Sequence, residues 1–124
     1  MPMRPPVLAP SDPLEARISA RQASARARAE RLRGQVPWLA RELLLRGARR
    51  VRLFGSLATE AEPHAATDID LAVEGMDEAA AADALVELEA TLGASVDLVR
   101  WEAASERVRR AIERDGIEVG HVTP

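Results

Sequence analysis

A chain of 124 residues has room for one domain with a real core, and the absence of cysteine excludes disulfides, thiol nucleophiles and Cys-ligated zinc. Nearly half the residues are apolar, yet one Phe, two Trp and no Tyr leave the core to Leu, Val, Ile and Ala, which suits helices packed on a small sheet better than an aromatic-rich β-sandwich. The net charge of −3 conceals an asymmetry: residues 1–52 carry 12 Arg against 4 acids and residues 53–124 carry 5 Arg against 16, a basic front suited to an acidic surface or nucleic acid and an acidic back suited to cations.

In chain order, "MPMRPPVLAP" holds four prolines and reads as a disordered tail over residues 1–11. "SDPLE" then starts a helix, with Asp12 as N-cap, Pro13 at the first helical position and Glu15 closing a capping box. This Arg-rich helix is expected to stop at Gly34. Its apolar stripe of Leu14, Ile18, Ala25, Ala29 and Leu32 is thin, so residues 12–35 read as an arm that docks on a partner or a second copy. Its scattered Arg residues read as a solvated face in an Ala/Arg-biased composition, which makes direct nucleic-acid binding the weaker expectation.

Pro37 is expected to open a shorter helix that ends at Gly47, with Leu39, Leu43 and Leu44 covering a sheet. "RRVRLF" (49–54) alternates as a first strand, "DIDLAV" (68–73) is a second and "SVDLVRW" (95–101) a third. Between the last two, "DEAAAADALVELEATLG" is a helix bounded by Asp77 and Gly93, with Leu85, Leu88 and Leu92 inward. A last helix from about Ser105 to Arg114 leads into a short apolar "IEV". The expected fold is a small α/β (α+β) domain over residues 36–120: a mixed sheet of three to four strands covered by helices, mainly on one face. No run reaches the length of a membrane span and no signal-peptide pattern is present, so a cytoplasmic location is expected.

Two acids inside a strand need a physical reason, because an ionised carboxylate is costly to desolvate without a partner. Asp68 and Asp70 lie two apart and project from one strand face, and Asp97 sits among Val96, Leu98 and Val99 in a strand expected beside it. Three inward acids offer hard oxygen ligands, the donor set of Mg²⁺ or Mn²⁺ rather than zinc. Gly55-Ser56 follows the first strand directly, where glycine admits close backbone approach and a Ser hydroxyl and amide can meet a phosphate oxygen. A phosphate cradle next to a carboxylate metal site is the equipment of phosphoryl or nucleotidyl transfer. His64 and His121 read as solvated, Trp38 and Trp101 as packing residues, and Arg100 as a surface residue.

With those residues in view, "LFGSLA…TDIDLAV…VDLV" resembles the Gly-Ser/Asp-x-Asp signature of the DNA polymerase beta-like nucleotidyltransferases, and at this length their minimal (MNT) branch. The resemblance spans roughly Val36 to Val119. It implies that Gly55 and Ser56 hold the triphosphate of ATP, the substrate. It implies also that Asp68, Asp70 and Asp97 are catalytic and hold two Mg²⁺ ions, or Mn²⁺, with Asp97 helping to deprotonate the acceptor. Many MNT proteins are antitoxins paired with a HEPN-type ribonuclease toxin, which some silence by moving AMP onto a tyrosine hydroxyl. A partner acceptor is therefore implied, and with no Tyr in this chain tyrosine self-modification is excluded.

The sequence departs from the family where members commonly follow Gly-Ser with x-Ala-Arg-Gly. Ala58 matches, but Thr59 and Glu60 replace the Arg and Gly, and eleven residues separate Ser56 from Asp68. That departure favours a second reading, a degenerate antitoxin acting by binding alone. A third is a small-molecule nucleotidyltransferase; such relatives usually carry an additional helical domain for the acceptor, which a chain of this length is not expected to hold.

Overall fold

The computed structural model describes residues 12–64 and 67–123, so the expected tail over residues 1–11 lies outside the described residues. The first element is one uninterrupted helix, α1, Pro13–Leu45, capped by the Asp12 carboxylate, which accepts from the Leu14 amide at 2.9 Å. Strand β1 (Arg50–Phe54), a 3₁₀ turn (Ser56–Ala58), β2 (Ile69–Glu74), α2 (Glu78–Leu92), β3 (Val96–Arg100), a second 3₁₀ turn (Trp101–Ala103), α3 (Glu106–Asp115) and β4 (Ile117–His121) follow. The local signals hold for the later helices. Asp77 accepts from the Ala80 amide, Gly93 closes α2 in the left-handed conformation at φ 69°, and Ser105 accepts from the Val108 amide.

The expected break at Gly34 and restart at Pro37 is corrected: both residues lie inside α1. A glycine costs a helix about 1 kcal/mol and a proline about 3 kcal/mol. Here Leu32, Val36, Leu39, Ala40 and Leu43 are all buried along that stretch, and packing of this face outweighs both. Gly34 adopts no positive φ, so it is not acting as a cap. A Cβ added at Gly34 would meet nothing within 4 Å. Gly34→Ala is therefore expected to stabilise the protein by about 0.5–1 kcal/mol. A lower melting temperature for this variant would mean that the chain needs the break the sequence suggested.

The four strands form one mixed sheet in the order β3-β2-β1-β4, with β2 and β3 parallel and the other pairs antiparallel. Val51, Leu53, Ile69, Leu71 and Val73 point to one face, where they join Leu32, Leu39 and Leu43 of α1 and Ala81, Ala84 and Leu88 of α2 in one core. Trp38, Leu85 and Leu92 pack at its margin. The opposite face carries Arg52, Asp70, Ala72 and Glu74. Near it α3 packs on β1, and the guanidinium carbons of Arg52 and Arg109 lie 4.5 and 4.9 Å from the centre of the Trp101 ring. Cover is thus heavier on one face than the other. The apolar stripe of α1 divides in two: Ala25, Ala29 and Leu32 are buried, whereas Leu14 and Ile18 are about half exposed. Among the described residues no helix is long and apolar enough to cross a membrane.

Candidate functional site

Strand β1 ends by running into Gly55, whose φ of 71° and ψ of −159° turn the chain sharply into the 3₁₀ segment. That turn is closed by the Ala58 amide donating to the Gly55 carbonyl at 3.1 Å and by the Thr59 amide and hydroxyl donating to the Ser56 carbonyl. The carboxylate of Asp70 lies directly over Gly55: an added Cβ would stand 2.1 Å from Asp70 Oδ2 and 2.9 Å from its Cγ. Only a residue without a side chain lets the turn and this carboxylate share the space. Antiparallel pairing sets Asp70 opposite Phe54, and parallel pairing sets it opposite Asp97, so the register of three strands brings Gly55, Asp70 and Asp97 to one end of the sheet.

Asp70 and Asp97 are hydrogen-bonded through their side chains. Burial first, then the Asp97 carboxylate that accepts its proton, then the charges of Asp97 and Asp68, push the Asp70 pKa up to about 6. Asp97 itself is exposed, which corrects the expectation of three inward acids: it pairs with Asp70 on the sheet face opposite the core, whereas Val96 beside it pairs with Ile69 and is buried. Asp68 lies one residue before β2 and is half-buried, and its Oδ1 accepts from Arg28 Nη2 at 3.3 Å. Among the described residues no three His, Cys, Asp or Glu side chains stand together as a ready-made metal site. The donor set is nonetheless all oxygen, and both charged neighbours that shift Asp70 are acids. An excess of negative charge held by the fold beside a glycine turn fits a hard divalent cation at Asp70 and Asp97, with Asp68 adjacent.

The residues the sequence reading missed come from α1. Three of its arginines grip the segment between β1 and β2. Arg26 meets Glu62 at 2.7 Å, Arg28 donates through Nε to the Thr67 carbonyl and through Nη2 to Asp68, and Arg33 Nε donates to the Leu57 carbonyl at 3.2 Å. Thr67 is buried and fixed in turn, its Oγ1 accepting from the His64 amide and its own amide donating to the His64 carbonyl, both at 3.0 Å. The signal for this was the charge asymmetry: the basic front half closes on the acidic back half of the same chain. Arg100 donates to the Met76 carbonyl at 2.8 Å, a structural use of its guanidinium, and His121 is exposed in β4.

No protein-family model matches the chain, and no curated protein does. Among solved structures, one solved as a minimal nucleotidyltransferase is 32% identical, over 72% of this chain and 93% of that one, with a TM-score of 0.59. A toxin–antitoxin complex with AMP-PNP contains a chain 22% identical over 68% of this chain and 74% of its own length, TM-score 0.55. The complex of a tri-AMPylated HEPN toxin from Shewanella oneidensis with its MNT antitoxin matches at 21% identity, over 70% and 73% of the two chains, TM-score 0.52. The last two are likenesses of fold.

Proposed function

The chain belongs to the minimal nucleotidyltransferase family, and from that membership we propose that it transfers AMP from ATP to a hydroxyl of a partner HEPN-type ribonuclease toxin, acting as that toxin's antitoxin in the cytoplasm. The observation that carries the reading is the convergence of Gly55, Asp70 and Asp97 at one end of the sheet, with Asp68 adjacent. The AMP-PNP complex and the AMPylated toxin among its structural neighbours support it. Residues 36–120 form the proposed catalytic unit, to which residues 12–35 lend Arg28 and Arg33.

Asp68, Asp70 and Asp97 would hold two Mg²⁺ ions, or Mn²⁺, which when bound neutralise triphosphate charge and favour loss of the acceptor proton. Gly55 and Ser56 line the triphosphate, where the Ser56 hydroxyl and amide can donate to its oxygens. The acceptor oxygen attacks the α-phosphorus of ATP, the bond from that phosphorus to the bridging oxygen of the β-phosphate breaks, and pyrophosphate departs. Asp97 takes the acceptor proton. Its exposure suits this task, because an acceptor carried on another protein has to reach it from outside.

Thr59 and Glu60 after the Gly-Ser pair favour one other reading, neutralisation by binding alone. The deciding experiment follows label from α-labelled ATP, with Mg²⁺, onto a co-purified partner, comparing wild type with Asp68→Ala/Asp70→Ala. Label with wild type only is the expected result. No label from either, with both still binding the partner, establishes the second reading instead.

A further inference from the structure

Asp68 faces a competition that the fold has already set up. Its Oδ1 is occupied by the guanidinium of Arg28, a residue forty positions earlier in the chain, at a distance of 3.3 Å through one N–H only. The pair is half-open to solvent, with side-chain exposures of 36% for Arg28 and 41% for Asp68, so it is long, monodentate and weakly held. The Nε of the same guanidinium makes a contact of equal length, 3.3 Å, to a more rigid partner. It donates to the carbonyl of Thr67, which is buried and locked by two hydrogen bonds to the His64 backbone. Arg28 is thus anchored to the backbone beside the site and can turn its Nη groups without leaving it. Five N–H donors with two engaged leave three for another acceptor.

We infer that Arg28 is a nucleotide-positioning residue: it holds Asp68 while the site is free of nucleotide and passes to the triphosphate when ATP arrives with its divalent cation. The inference rests on the nucleotidyltransferase reading above. A divalent cation outcompetes a single, long guanidinium contact for the Asp68 carboxylate, since its charge is double and it binds oxygen directly. The displaced guanidinium then lies within reach of an incoming polyanion, for which its planar fork is matched. Charge is balanced in both states: in the first Arg28 offsets part of the carboxylate cluster, in the second the cation does so and Arg28 offsets phosphate. The exchange also ties α1 to nucleotide occupancy, because the residue that moves belongs to that helix.

The test reads two affinities with opposite expected signs. Mn²⁺ binding without nucleotide is measured by loss of the free-ion electron paramagnetic resonance signal, and AMP-PNP binding at saturating Mg²⁺ by calorimetry, for wild type, Arg28→Gln and Arg28→Lys. Arg28→Gln is expected to bind Mn²⁺ about 3-fold more tightly, its competitor having been removed. It is expected to bind AMP-PNP about 10-fold more weakly, having lost a charge-assisted phosphate contact. Arg28→Lys keeps the charge and the helix but not the fork, so it should bind Mn²⁺ like wild type and fall between the other two for AMP-PNP. A purely structural role would weaken both affinities together, and that result, or no change in either, overturns the assignment while leaving the parent reading intact. Absence of Mn²⁺ and AMP-PNP binding in wild type overturns both.

Discussion

Asp70→Asn is expected to reduce transfer at least about 10³-fold and, in metal-free buffer at pH 7.5, to raise the melting temperature of the protein by a few degrees. The two effects share one cause. The Asp70 carboxyl is driven up to about 6 by burial and by Asp97 and Asp68, so the folded state binds its proton more tightly than the unfolded chain does. The stability linked to that proton is fully present below the unfolded pKa, near 4, and is lost as pH rises through about 6. At neutral pH the wild-type fold therefore carries a half-desolvated charge beside two others. Asparagine removes the charge and keeps a donor for Asp97. Melting curves of wild type and variant should run together near pH 4 and separate between pH 4 and 7. Mg²⁺ should close the gap from the wild-type side, because a ligand of the folded state stabilises it. A variant that melts below wild type at pH 7.5 without metal would show that the carboxylate is held by favourable partners, and the metal reading would fall with it.

Most of this arrangement was legible because its signals are local. Alternation in "RRVRLF" and "DIDLAV", the caps at Asp77 and Ser105 and the stop at Gly93 each act over a few residues, and each forms the element expected of it. The facing of Asp70 and Asp97 needed one further step, parallel pairing of β2 with β3, which a helical crossover between them permits. What escaped the reading acts at long range. Gly34 and Pro37 look like a break in any short window, and only the burial of Leu32 before them, Val36 between them and Leu39 and Leu43 after them explains why the helix continues. Arg26, Arg28 and Arg33 have no local pattern distinguishing them from the exposed Arg17, Arg21 and Arg31 of the same helix. Their partners lie 24 to 40 residues away in sequence. Composition alone carried that information, as basic residues in one half and acidic residues in the other. It is legible as a charge asymmetry, but composition does not say whether a basic half meets solvent, a partner or the other half of its own chain.

The sharpest geometric consequence concerns Gly55. Gly55→Ala is expected to lower transfer at least about 100-fold and to cost about 1–3 kcal/mol of stability, in contrast to the gain expected for the same change at Gly34. Two constraints act together here. The φ of 71° disfavours any residue with a Cβ, and the new methyl would fall 2.1 Å from Asp70 Oδ2. Rotation of the carboxylate alone does not clear it, because the Asp70 Cβ would remain 3.1 Å away. Either the turn moves, displacing Ser56 from the place proposed for phosphate, or the start of β2 moves, separating Asp70 from Asp97. Each outcome removes part of the site, so stability and activity should fall together. In Asp70→Asn they should part in opposite directions. Measured side by side with Gly34→Ala, these variants separate strain in the scaffold from loss of charge at the site. Transfer by Gly55→Ala within about 3-fold of wild type would mean that the glycine turn and the Asp70 carboxylate are not used together in catalysis.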